Sequence, residues 1–229
     1  MVELSTAKTY GGIGALLLLI GGFIPYVGFA VSIVGLILIF LGVKTISEIT
    51  NDEEIYKNFI LSFIFNIIAI VSLFGILLIG FGAAGGFSWL TSLETAEITD
   101  FTTFWNYFGG IVIAAIIGLL VAWIFAILGS IYLRKSYKSI TNHTNIKHFE
   151  TAGTMYLIGS ITAVILIGFI LLFIARIIEI VAFFSLPDTL ASKEKMTNER
   201  RCPNCGRIIP FDAKVCPYCA KHFPDQGNF

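Results

Sequence analysis

The sequence predicts an all-α membrane protein: a bundle of about six short transmembrane helices, followed by a small metal-held β module. Three observations carry this expectation. Gly11 to Val43 runs thirty-three residues without a charged side chain. Apolar residues make up 56% of the 229 and charged residues 13%, a balance suited to lipid rather than water. All four cysteines fall in the last thirty residues, as two C-x-x-C pairs.

The first apolar run fixes the opening of the bundle. As one helix it would extend roughly 50 Å, too long for a single modestly tilted span of about 20 residues. Gly21, Gly22, Pro25 and Gly28 supply a place to turn. Two short helices, about Thr6–Phe23 and Val27–Ser47, are therefore expected as a hairpin. Ala7, Gly14, Gly21, Gly28, Gly35 and Gly42 recur every seven residues. Small residues on one face let backbones approach in lipid, where close contact replaces the hydrophobic effect as driving force. The spacing reads as a packing seam rather than a substrate path lined by bare backbone.

Glu48 to Lys57 is a polar connection with Asn51-Asp52 as a helix cap. A third span of about Phe59–Phe81 follows. Its one strongly polar interior residue, Asn66, should face a neighbouring helix, either in an interhelical hydrogen bond or as a ligand contact. Gly82 to Asn106 carries Glu94, Glu97 and Asp100, no Lys or Arg, and aromatics including Phe87, Trp89, Phe104 and Trp105. It reads as a loop partly lying on the membrane surface as an aromatic anchor. The fourth span is about Tyr107–Leu133, with Arg134, Lys135 and Lys138 directly after it. Ile49-Thr50-Asn51 with Ile55 and Ile140-Thr141-Asn142 with Ile146 share I-T-N-x-x-x-I, which suggests a duplicated helix–loop–helix unit.

Ala152 to Leu186 is again too long for one span, and Gly168 is the best turn candidate. A second hairpin, Thr151–Ile167 and Gly168–Ser185, competes with one tilted helix. Charge decides between them. With six spans and both termini inside, Lys8, Lys44, Lys57, Arg134, Lys135, Lys138, Lys147 and every Lys and Arg from Lys193 on share the cytoplasmic side. Arg176 alone stays in the membrane, with Glu179 three residues on and within reach. An intramembrane ion pair marks a functional site by default. The competing reading is mutual neutralisation that pegs the last helix to the bundle.

Residues 1–186 thus form the transmembrane domain, 187–200 a flexible polar linker, and 201–229 the soluble module. In that module ten residues separate the Cys202/Cys205 pair from the Cys216/Cys219 pair. Each C-x-x-C turn presents two thiolates, and two such turns close a tetrahedron around one structural Zn²⁺ per chain. So small a module draws its folding energy from the metal. Four thiolates leave no open position for catalysis. His222 is then a surface residue.

CPNCGRIIPFDAKVCPYCAKHF resembles the short zinc-ribbon family along its whole length. The pattern departs in one place, where Ala220 follows the last cysteine and the family usually has glycine. The resemblance implies a docking or regulatory appendage. Residues 5–186 look like the archaeal multi-pass family catalogued as domain of unknown function 996. The stretches that carry this resemblance are GGIGALLLLIGGFIPYVGFAVSIVGLILIFLGVKTIS, the LRKSY after span four and TAGTMYLIGSITAVILIGFILLFIARIIEIVAFFS. That implies membrane location and an archaeal source, and no activity.

No H-E-x-x-H, G-x-S-x-G or phosphate-binding glycine loop is present, so no enzymatic activity is expected. The expected role is a membrane-anchored adaptor or regulator whose cytoplasmic ribbon docks a protein. The alternative is a small transporter or channel using Arg176, Glu179 and Asn66. Expected partners are the lipid bilayer, a protein on the ribbon and a second copy of the chain. A net charge of zero gives no attraction to nucleic acid.

Overall fold

The computed structural model describes residues 4–93, 100–188, 199–210 and 215–223. It divides into two compact units, Met1–Asp188 and Thr189–Phe229. The expected linker falls largely on residues 189–198, outside the described ones.

The first unit is helical throughout. Its elements are α1 (Leu4–Gly21), α2 (Gly28–Thr50), α3 (Glu53–Ala83), the short α4 (Phe87–Leu93), α5 (Phe101–Thr144), α6 (Lys147–Thr162) and α7 (Ile167–Phe184). Leaving α4 aside, the helices form an up-and-down ring in chain order, and α7 closes back on α1. Lys44, Lys57, Lys138 and Lys147 flank the α2–α3 and α5–α6 connections, so those connections mark a basic end of the ring.

Large apolar side chains cover the outside. Phe29, Ile70, Leu78, Ile79 and Leu119 are all more than half exposed, the reverse of a water-soluble bundle. Five helices, α1, α2, α3, α5 and α7, are long and apolar enough to cross a membrane. At 16 residues α6 is shorter, and a 3₁₀ turn at Ala163–Ile165 extends it before α7. Leu166 then takes a left-handed φ of 62°. The last apolar run is therefore two helices, not one tilted helix. Gly168 lies just past the turn, where its missing side chain lets α7 press on the Gly159 carbonyl and Ala163 of α6.

The first hairpin folds as expected around Pro25, with Tyr26 at φ 64°. The heptad seam pairs its members end to end across α1 and α2. A Cβ at Gly14 would lie 2.6 Å from the Gly35 carbonyl oxygen, one at Gly35 2.7 Å from that of Gly14, and one at Gly42 3.2 Å from that of Ala7. Only hydrogen fits at that separation, so the seam is backbone against backbone.

Both basic-end connections are tighter than their polar sequences suggested. Asn51 caps α2 in the left-handed conformation and Asp52 caps α3, its carboxylate accepting from the Glu54 N–H at 3.0 Å. Asn145 does the same for α5. Equivalent positions are thus Thr50-Asn51 and Thr144-Asn145, ninety-four residues apart. The expected repeat register is three residues off, because Asn142 lies inside α5. Thr50 and Thr144 both donate to the carbonyl four residues back, and buried Ile46 matches buried Ile140.

α3 and α5 reach 31 and 44 residues, well beyond short spans. Phe104 and Trp105, expected in a surface loop, belong to the first turns of α5, because Asp100 caps the helix by accepting from the Thr103 N–H at 2.8 Å. Trp89 of α4 stands edge-on to Phe81 and Phe108 and donates to the Tyr107 carbonyl at 2.8 Å. Glu94 and Glu97 lie outside the described residues.

The driest packing sits at the basic end. Tyr137, Phe149 and Phe183 are fully buried and meet edge to face at 5.6 and 5.0 Å, and Val43, Ile46, Ile55 and Ile140, toward the same end of their helices, are fully buried too. The buried Ser136 hydroxyl donates to the Ile55 carbonyl at 2.8 Å and ties α5 to α3.

The second unit pairs β1 (Glu199–Arg201) antiparallel with β2 (Ile208–Pro210), flanking the first C-x-x-C turn. The strand pairing therefore brackets the first cysteine turn, and residues 211–214 of the ten-residue connection lie outside the described ones. A single bridge, Val215 with His222, flanks the second turn.

Candidate functional site

Two groups of chemistry-bearing side chains emerge, one in each unit. The first is a cavity of about 430 Å³ within the ring, to which all six ring helices contribute lining. Asn66, Arg176 and Glu179, singled out separately in the sequence, all line it.

Glu179 is the centre of its charged end and is only 2% exposed. Its carboxylate accepts from the Tyr137 hydroxyl of α5, from the Tyr156 hydroxyl of α6 at 2.6 Å, and from Arg176 Nη1 at 2.6 Å. Three donors on one buried carboxylate satisfy it in a medium where an unpaired charge costs several kcal/mol. The guanidinium also lies over the Tyr156 ring, 5.5 Å from its centroid. The expected ion pair is therefore a four-residue network joining α5, α6 and α7. It sits about 8 Å from the C-terminal end of α7, closer to the basic end than the mid-membrane depth expected.

Tyr137 and Tyr156 are the residues that sequence reasoning missed. Tyr137 follows Arg134 and Lys135, beyond the expected fourth span of about Tyr107–Leu133. The i, i+3 spacing of Tyr137 and Ile140, both fully buried, is the sequence signal that could have found it.

Asn66 meets its neighbour as expected but bonds differently. Its side chain packs against Gly129 of α5, where a Cβ would lie 2.6 Å from Asn66 Nδ2. The amide donates to the Ser62 carbonyl of its own helix at 2.8 Å, rather than across to another helix. Ser130 and Ser160, also on the cavity wall, donate to the Ala126 and Leu157 carbonyls of their own helices.

Outside the spanning helices, Asp52 accepts from the Ser139 hydroxyl and lies 3.1 Å from His143 Nε2. The Ser139 hydrogen bond above all, helped by His143 and the Glu54 N–H, holds its carboxyl below the usual aspartate range against the opposing effect of burial. This cluster latches the α2–α3 connection to the last turns of α5.

The second site is in the small unit. The Sγ atoms of Cys202, Cys205, Cys216 and Cys219 all lie within 4.8 Å of one another, with Cys202–Cys219 at 3.6 Å and Cys205–Cys216 at 3.7 Å. Sulfurs about 2.3 Å from a tetrahedral ion stand about 3.8 Å apart, so the four fit one metal ion. The two turns repeat one hydrogen-bond plan. Cys202 N–H donates to the Arg207 carbonyl and Gly206 N–H to that of Cys202, at 2.8 Å each. Cys216 N–H donates to Lys221 and Ala220 N–H to Cys216, at 2.9 Å each. Gly206 has φ 71° and Ala220 φ 57°. The glycine-to-alanine departure therefore falls on a left-handed residue, where a Cβ is strained. Asn204's side chain and then the Lys221 N–H hold the Cys219 thiol down to about 6, while, against the Arg207 N–H, burial and the neighbouring thiols push Cys205 up to about 11. His222 is exposed and stands apart from the cluster.

A family model described as "Protein of unknown function (DUF996)" matches residues 31–177. The chain belongs to that family. Its matched stretch lies within the helical unit and contains Asn66, Tyr137, Tyr156 and Arg176 but no cysteine. The uncharacterised protein MJ1644 of Methanocaldococcus jannaschii is 32% identical over 192 residues, 84% of this chain and 98% of that relative. No solved structure matches.

Proposed function

We propose that this DUF996 member is a membrane-anchored docking protein: the helical ring holds it in the cell membrane, and a zinc ribbon presents a cytoplasmic surface to a protein partner. The observation that carries this reading is the closed four-thiolate cluster, in two turns of matching hydrogen-bond geometry. Zinc is the ion of choice because all-thiolate tetrahedral sites with two C-x-x-C turns suit it, and four ligands leave it structural. The cytoplasmic orientation draws on the basic residues gathered at one end of the ring. No enzymatic role is proposed. Tyr218, 58% exposed within the second turn and lying under Arg207 at 4.8 Å, is the natural contact residue. A photo-cross-linking amino acid in place of Tyr218, in the full chain in its native membrane, should trap one discrete partner. Cys216→Ser should abolish that product. No product, or one indifferent to Cys216→Ser, overturns the docking reading.

A second reading, a small transporter, draws on a different observation: Asn66, Arg176 and Glu179 face one cavity. The packed Tyr137, Phe149 and Phe183 at the basic end argue against an open channel. Solute flux in vesicles carrying the purified chain tests it.

A further inference from the structure

We infer that the cavity inside the ring is a binding site for a net-neutral, single-chain amphiphile with a hydroxyl head, which enters from the bilayer between α2 and α3. The inference stands apart from the docking role, and its failure would leave the cross-linking result untouched.

Charge sets the head group. Among the described residues, Arg176 and Glu179 are the only charged side chains on the cavity wall, and they cancel. A charged head would stand uncompensated in a low-dielectric interior. Glu179 is already occupied by three donors and is not a ligand contact. Arg176 gives Nη1 to Glu179, while its side chain lines the cavity, is 29% exposed and has further N–H groups to donate. The hydroxyls of Ser130 and Ser160 use their protons on their own helices and keep oxygen lone pairs, as does the Asn66 carbonyl. The wall thus offers donors and acceptors together. A hydroxyl matches both, whereas a carboxylate only accepts and an ammonium only donates.

Size and packing set the tail and the route. At about 30 Å³ for each water-sized group, about 430 Å³ takes roughly fourteen such groups, a head and the first part of one chain. The remaining tail needs a way into lipid, and one seam supplies it. Glycines press on the neighbouring helix at α1–α2 (Gly14), α3–α5 (Gly80), α5–α6 (Gly153), α6–α7 (Gly159) and α7–α1 (Gly11). No described glycine does so between α2 and α3, which make the least extensive contact in the ring. There Phe40 of α2 meets Phe59 and Phe63 of α3 edge-on at 5.0 and 4.9 Å, and Phe59 and Phe63 also line the cavity. Three rings can swing aside without parting a glycine contact, and the buried Tyr137, Phe149 and Phe183 close the basic end.

The test uses the full chain in nanodiscs with 1-monooleoylglycerol, oleate and oleylamine as probes. One monooleoylglycerol should bind per chain, with oleate and oleylamine at least tenfold weaker. Ala126→Trp, on the cavity wall, should weaken monooleoylglycerol at least tenfold; Ser130→Leu serves the same purpose if that variant does not fold. Phe40→Ala should raise association and dissociation rates several-fold together, with affinity changed less than twofold. Oleate or oleylamine binding as tightly as the neutral probe, affinity indifferent to both cavity-filling variants, or rates indifferent to Phe40→Ala would each overturn the inference.

Discussion

Replacing Glu179 by Leu tests the network more sharply than replacing Arg176. Glu179→Leu strands the Arg176 charge and leaves the Tyr137 and Tyr156 hydroxyls without their acceptor, with Tyr137 fully buried. Removing one partner of a buried ion pair costs about 3–5 kcal/mol. Arg176→Leu leaves the carboxylate with two phenolic donors, so its loss should be closer to that of one charged hydrogen bond, about 1.5–3 kcal/mol. Arg176→Leu with Glu179→Leu removes both charges but still orphans two hydroxyls. The double variant should therefore regain only part of the stability, and adding Tyr137→Phe and Tyr156→Phe should regain most of the rest. Unfolding of the purified chain in mixed detergent by sodium dodecyl sulfate titration gives the four free energies of the cycle. Equal losses for the two single variants, with additivity within about 0.5 kcal/mol, would refute a network centred on Glu179.

Four further outcomes follow from the same geometry. Elemental analysis should find one zinc per chain in the full protein and none after Cys216→Ser, which should leave helix content unchanged; iron or no metal would refute the zinc assignment. Ala220→Gly should slow zinc loss to a chelator, since it removes a left-handed alanine, and faster loss would contradict the strain argument. Asp52 has a folded pKa below its ordinary 3.8, so its contribution is full above that value and fades as pH falls through the lower folded one. The stability difference between the wild-type chain and Asp52→Ala, about 1 kcal/mol from the cap at neutral pH, should shrink only under strong acid. A cysteine at Tyr26, fully exposed at the far end of the ring, should react with an impermeant reagent outside intact cells while one at Asn142 should not, once the ribbon thiols are masked. The opposite pattern would invert the topology.

The hairpins were legible wherever local chemistry decides the backbone. Pro25, Asn51 and Asp52 act through their own φ and side-chain oxygens, and the structure puts turns and caps at each. The heptad of small residues was legible for the same reason, because close approach demands the missing Cβ at Gly14 and Gly35 whatever surrounds them. Lengths were not. Polar runs such as Thr141–Thr144 read as loop, yet a helix continues through them when a hydroxyl can donate back to its own backbone, as Thr141 does to Tyr137 and Thr144 to Ile140.

The polar cavity was legible only in fragments, and the reason is physical. Asn66, Arg176 and Glu179 stand out because lipid penalises each of them. Tyr137 and Tyr156 carry no such flag, since a tyrosine is as suited to a membrane interface as to a buried hydrogen bond. What makes them functional partners is that α5, α6 and α7 bring them to one carboxylate, residues 137, 156 and 179 being forty-two positions apart at the extremes. That convergence depends on the order of helices around the ring. The ring order depends in turn on which seams can close tightly, and among the described residues glycines press on the neighbouring helix at five of the six. The sixth, between α2 and α3, is held by phenylalanines, and it is the seam that borders the cavity through Phe59 and Phe63. The same small residues that fold the bundle therefore leave its one soft side facing the polar interior.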